Sequence, residues 1–241
     1  MTKVSQRWAT LRDRYFDGPE PVELVRKYMS SDRTGPAFTG SLFNTWAGGG
    51  MVHPDVVTAD DLIAVQMMSM RPYSKTIWRL LEGQRHAITA ALSQVPLSAT
   101  LWDEDDVVRD HLAAATVAWQ TIRDVPGAGW VTAGKVMARK RPDLIPVYDT
   151  VVRKVIGGGA FWGPLHEWLR APAPAGAVNN RALLQDIRAR AGAAPHQLPD
   201  LRVFDVVLWM HGRGAGQVDE TGEKDPLEND EANGLVGGGP A

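Results

Sequence analysis

Asp149 stands twenty positions after Gly129, and residues 125–153, VPGAGWVTAGKVMARKRPDLIPVYDTVVR, hold the side chains whose types and spacing could do chemistry. Pro126 and Gly127 cannot continue a helix, and Gly129 can take the positive φ that a short reversal needs. A helix starting at about Trp130 leaves its first N–H groups unpaired, and its dipole favours an anion there. The small residues Gly127, Ala128 and Gly129 let another backbone come close. Lys135, Arg139, Lys140 and Arg141 add charge, so residues 121–155 carry seven basic and three acidic side chains. A Gly-rich helix start with excess positive charge suits a nucleic-acid backbone. A carboxylate beside it could stabilise positive charge growing on a sugar, or orient a water.

The bland reading of each residue is also available. Asp149 precedes a helical pattern and can be an N-cap, worth ~0.5–2 kcal/mol. Lys135 reads as an exposed helix lysine, a phosphate contact or a nucleophile. Arg139, Lys140 and Arg141 read as a solvated basic face, with phosphate contact as the further option. Tyr148 could line a pocket for an extruded base, with Trp46, Trp102, Phe161, Trp162 and Trp168 as further candidates. The chain has nine tryptophans, so most of its large aromatics belong in a core. Trp130, at the start of the basic helix, could stack on a base or pack on Trp119.

VPGAG followed by a helix resembles the hairpin of the helix-hairpin-helix DNA glycosylase superfamily, which reads like L-P-G-[VI]-G. The run Ile145-Pro146-Val147-Tyr148-Asp149-Thr150-Val151-Val152 is similar to the stretch that carries the superfamily's catalytic aspartate, and its distance from Gly129 fits. The resemblance covers about residues 105–157. It implies that Asp149 is the catalytic carboxylate, that Gly127, Gly129, Trp130, Thr132, Lys135 and Arg139 meet DNA, and that Tyr148 lines the substrate pocket. It implies DNA, taken as duplex, as the partner, and hydrolysis of an N-glycosidic bond as the reaction. Bifunctional members carry a lysine two residues after the last hairpin glycine. Val131 stands there, so lyase chemistry through that position is excluded; Lys135 lies one turn further on the same face. No cofactor is implied beyond a monovalent cation held by hairpin carbonyls. The phrases RPDLIPVYD and RVFDVVLWM are also similar to those of uncharacterised bacterial proteins, which adds no function. A non-catalytic hairpin module that binds DNA, and a helical protein with an aromatic cleft for a small ligand or partner, stay open beside the enzyme.

The elements that must position these residues are helical throughout. Val108, His111, Leu112, Ala115, Trp119 and Ile122 recur at steps of three and four, so residues 103–123 enter the turn as a helix. Further helices are predicted at 4–16, 20–30, 58–69, 74–95, 150–156, 161–169, 179–191 and 199–211. Thr58 and Asp61 approximate a capping box. Residues 31–54 are Gly-dense and lose periodicity, as irregular cover or a short hairpin. The fold class is all-α: a bundle containing a helix-hairpin-helix unit, one domain over residues 1–211, and a disordered acidic tail over 212–241.

Composition narrows the chemistry. Without cysteine there are no disulfides, zinc-thiolate sites or thiolate-held iron–sulfur clusters. The six histidines show no metal-binding spacing, so no metal site is expected. No apolar run is long enough for a signal peptide or a membrane span, which predicts a cytoplasmic protein. The net charge of -2 hides an asymmetry: residues 219–231 hold seven acids and one lysine. The rest of the chain is mildly basic, and such a tail could compete with DNA for a basic face.

Overall fold

The computed structural model describes residues 3–173 and 176–214 and is predominantly helical. The N-terminal helices are α1 (Lys3–Ala9), α2 (Leu11–Tyr15) and α3 (Glu20–Met29). A ladder of two residues per strand, β1 (Ser31–Asp32) and β2 (Gly35–Pro36), opens the irregular segment, which continues in short 3-10 turns to Val52. Helix α4 (Ala59–Gln66) begins on the capping box read from the sequence, with Thr58 and Asp61 exchanging bonds.

Residues 74–95 differ from the single helix expected. Helix α5 (Ser74–Trp78) runs into a π turn (Arg79–Gly83), and α6 (Arg85–Leu92) starts afresh after Gln84. The wider turn ends where the Trp78 ring folds over Gly83; a Cβ there would sit 3.3 Å from the indole. Periodicity averaged over this stretch cannot register one inserted residue.

The long α7 (Asp105–Arg123) and α8 (Gly129–Lys140) pack against each other across the Pro-Gly-Ala-Gly turn. Helix α9 (Thr150–Ile156) follows Asp149 and stops on Gly157 in the left-handed region. Helices α10 (Trp162–Arg170), α11 (Asn180–Ala191) and α12 (Asp200–Gly214) complete the described chain. Helix α12 is apolar on several faces at once, with Leu201, Val203, Phe204, Val206, Val207 and Leu208 all buried. It therefore sits centrally, against α3, α9 and α11. It extends past the expected boundary at 211; the tail reading for 215–241 lies outside the described residues.

Aromatic side chains account for much of the core. The Phe204 ring meets Phe16 at 5.4 Å, Trp168 at 5.4 Å, Trp8 at 6.3 Å and Phe161 at 6.4 Å. No helix among the described residues is long and apolar enough to cross a membrane.

Candidate functional site

The turn between α7 and α8 has the backbone its sequence requires. Gly127 and Gly129 take φ of 89° and 68°. Pro126, Gly127 and Gly129 are exposed, whereas Ala128 is buried and anchors the turn. Helix α5 and the π turn after it brace it: the Thr76 hydroxyl and the Arg79 guanidinium both donate to the Pro126 carbonyl, at 3.1 and 3.2 Å. Thr76 lies so close that a Cβ on Gly127 would fall 2.3 Å from its Oγ1. The first N–H groups of α8 thus start from a rigid, solvent-facing turn.

Asp149 lies close enough to Lys135 of α8 for the two charges to interact. Its Oδ1 accepts from the Val151 and Val152 N–H groups, both at 3.0 Å, and caps α9. Both cap bonds use Oδ1; among the described residues none is seen to Oδ2, and the residue is half-buried. The preceding ring, Tyr148, stacks on Phe161 at 4.0 Å and meets Trp130 of α8 at 6.2 Å. Trp130 therefore pairs with Tyr148 rather than with Trp119. Trp162 extends the row, edge-on to Phe161 at 5.0 Å. Burial raises the Tyr148 phenol pKa against the opposing pull of Arg153, so the hydroxyl stays protonated. Of the other aromatic candidates, Trp168 and Phe161 belong to the core, Trp46 packs on it, and Trp102 is covered by Arg181, whose guanidinium lies 3.8 Å from the ring centre.

The basic residues of α8 do not form the solvated face expected of them. Lys135, Arg139, Lys140 and Arg141 are all buried, as is Thr132. Lys135 Nζ donates to the Met68 carbonyl at 2.9 Å. Arg139 donates to Asp61 at 2.8 Å, to the Trp46 carbonyl at 2.8 Å and to the Phe43 carbonyl. Lys140 reaches the His53 carbonyl at 2.9 Å and pairs with Asp61; Arg141 takes the carbonyls of Val95, Pro54 and Leu92 and the Asp55 carboxylate. The physical reason lies in the irregular segment. Carbonyls outside regular ladders still need donors when buried, and these cations supply them. Arg139 and Lys135 are thus spent inside the protein, and a phosphate contact by either would require this network to come apart.

Lys135 nevertheless belongs to the neighbourhood of Asp149. Desolvation pulls its pKa below the ordinary 10.5, the Asp149 charge opposes that pull, and Arg202 adds to it. Arg202 donates to the Tyr28 hydroxyl at 2.6 Å and pairs with Asp205, which accepts from the Val147 N–H at 3.0 Å. This network ties the backbone two residues before Asp149 to the central helix.

One exposed region was missed by the sequence reading. Beside the turn, Tyr73 is 71% and Trp78 61% exposed, in a stretch that also exposes Arg71, Lys75 and Arg85. Glu82 is the one acid among residues 71–86. The available signal was the pairing of aromatics with bases at 71–79, which the expectation of one long amphipathic helix absorbed into the core. Among the described residues no three His, Asp or Glu side chains gather as a metal site.

A family model matches residues 21–212, the greater part of the chain, and that family is described as one of unknown function (DUF6308). The chain belongs to this family. The match spans the turn, Asp149, the buried cations of α8 and the central α12, and it leaves α1 and α2 outside. No curated protein and no solved structure matches the chain.

Proposed function

We propose that the chain is a DNA-binding hydrolase of the glycosylase type, cleaving an N-glycosidic bond with Asp149 as its carboxylate. The observation that carries the reading is the contact between Trp130 and Tyr148 at 6.2 Å, which joins the start of α8 to the segment that bears Asp149, whose Oδ2 is the oxygen outside the cap bonds. A phosphate held by the exposed N–H groups of the turn would bring the neighbouring sugar within reach of that oxygen. There the carboxylate stabilises the oxocarbenium-like charge that develops as the base departs, and water completes the hydrolysis. Trp130 and Tyr148 supply aromatic faces for a base taken out of the stack. With Val131 two residues after Gly129, no Schiff base forms at that position and the sugar–phosphate strand stays intact.

The exposed shoulder at Tyr73, Lys75 and Trp78 extends the binding face through its contact with Pro126. The test is release of free base from duplexes carrying alkylated, deaminated or oxidised bases. The expected result is release with strands that break only after alkali treatment. Salt-dependent duplex binding without release of any of these bases would reject the hydrolase. It would support a second reading, a non-catalytic DNA-binding module, favoured by the full use of Asp149 Oδ1 as a helix cap.

A further inference from the structure

At the other end of α9 the chain builds a second polar site. The last residues of α9 meet α1 and α2 around a cavity of about 220 Å³. Arg7, Arg14 and Lys154 line it, with Thr10, Tyr15 and Gly157, and among the described residues no carboxylate does. Arg7 is held in place: its Nη1 donates to the Gly157 carbonyl at 2.8 Å. Gly157 has φ 89°, and a Cβ on it would fall 2.0 Å from that same nitrogen. The positive φ favours glycine there, and among the described residues the Arg7 guanidinium makes no other hydrogen bond. The side chains of Arg14 and Lys154 make no hydrogen bond or ion pair with the described residues; the Arg14 guanidinium rests 5.1 Å from the Tyr15 ring centre. All three side chains are exposed at the rim of this half-open cavity, where water weakens their mutual repulsion but leaves an excess of positive charge for an anion.

We infer that this cavity binds the phosphate group of a small anion, either inorganic phosphate or a phosphomonoester. Two guanidinium forks and an ammonium match a tetrahedral dianion better than a single carboxylate, which would leave excess positive charge. A water takes about 30 Å³ of liquid, so the volume holds roughly seven waters. It is below the ~300 Å³ at which pockets for larger organic ligands begin. The site is independent of the proposed hydrolase: it uses neither the turn nor Asp149. Its α1 and α2 wall lies outside the family match, whereas Lys154 and Gly157 lie within it.

The test is calorimetric titration of the full chain with inorganic phosphate, then with a nucleoside 5′-monophosphate, then with a short single-stranded oligonucleotide lacking a terminal phosphate. Saturable phosphate binding is expected, weakened about tenfold or more in Arg14→Gln and in Lys154→Gln. Neither variant should change Tm by much, because both groups are exposed and neither side chain makes a hydrogen bond or ion pair among the described residues. Tighter binding of the monophosphate identifies a phosphomonoester as the occupant. Binding by the oligonucleotide alone overturns the inference, since the DNA face at the turn accounts for it and the cavity would have taken no phosphate. Unchanged phosphate affinity in the Arg14→Gln/Lys154→Gln double variant also overturns it. So does the absence of saturation up to about 10 mM, weaker than any affinity of interest, in both the wild type and a full-length variant with the acids of residues 219–231 neutralised. Binding only in that last variant supports the site and identifies the tail as its competitor.

Discussion

The C-terminal half of α8 and the shoulder at residues 71–86 are both rich in positive charge, yet they do opposite things. On α8, Lys135, Arg139, Lys140 and Arg141 point inward and donate to carbonyls of residues 43–95. On the shoulder, Arg71, Lys75 and Arg85 are exposed alongside Tyr73 and Trp78. A count of charges along the chain assigns the first region to a ligand and overlooks the second. What separates them is where unpaired backbone carbonyls lie. An irregular segment packed against a helix draws that helix's cations inward, and only those without such a segment face water.

The largest effect that could break this contrast is at Asp61, which pairs with both Arg139 and Lys140. Asp61→Asn leaves two buried cations without a countercharge and should cost about 3–5 kcal/mol in urea unfolding. A loss below about 1 kcal/mol, ordinary for an exposed ion pair, would mean that the cluster is open to water.

Gly127→Ala comes next. The strained φ and the contact with Thr76 act together, and a loss of about 1–3 kcal/mol is expected, along with weaker duplex binding. Retained stability and binding would show that the turn needs neither the glycine nor its brace.

On the shoulder, the Tyr73→Ala/Trp78→Ala double variant should alter stability by only about 0.5 kcal/mol. It should weaken binding to DNA by roughly 1–3 kcal/mol for each base that stacks on these rings. Fluorescence anisotropy across a salt series measures this, and unchanged binding would remove the shoulder from the interface.

The smallest effect is a pH dependence. Burial lowers the Lys135 pKa in the fold, so between that value and 10.5 the folded chain binds fewer protons than the unfolded one. Lys135 therefore weakens the fold at low pH, and this cost fades as pH rises towards 10.5. Lys140 shifts the same way, so the informative quantity is the stability of the wild type minus that of Lys135→Met. That difference should grow with pH over this range; a flat difference would contradict a desolvated ammonium.

The sequence was readable where local chemistry decides the structure. The Thr58–Asp61 box, the positive φ of Gly127 and Gly129, the cap at Asp149 and the stop at Gly157 all follow from single residues in known backbone roles. The direction of a long side chain was not readable. Lys135 and Arg139 lie at helical positions compatible with either face, and their burial depends on carbonyls of residues 43–68, far away in sequence. The π turn at 79–83 escaped because periodicity averaged over the stretch cannot register one inserted residue. In the candidate site, the two chain segments could be named in advance, but the Trp130–Tyr148 contact that joins them is tertiary.

Asp149→Asn tests the central claim most directly, because asparagine keeps an Oδ1 that can accept both cap bonds while removing the charge. Base release from a damaged duplex should fall by about 100-fold or more, the scale of losing one electrostatic stabiliser. DNA affinity should stay close to wild type, while Tm falls modestly because Lys135 loses the charge that opposes its desolvation. Release at the wild-type rate in this variant would contradict the account and leave Asp149 as a helix cap alone.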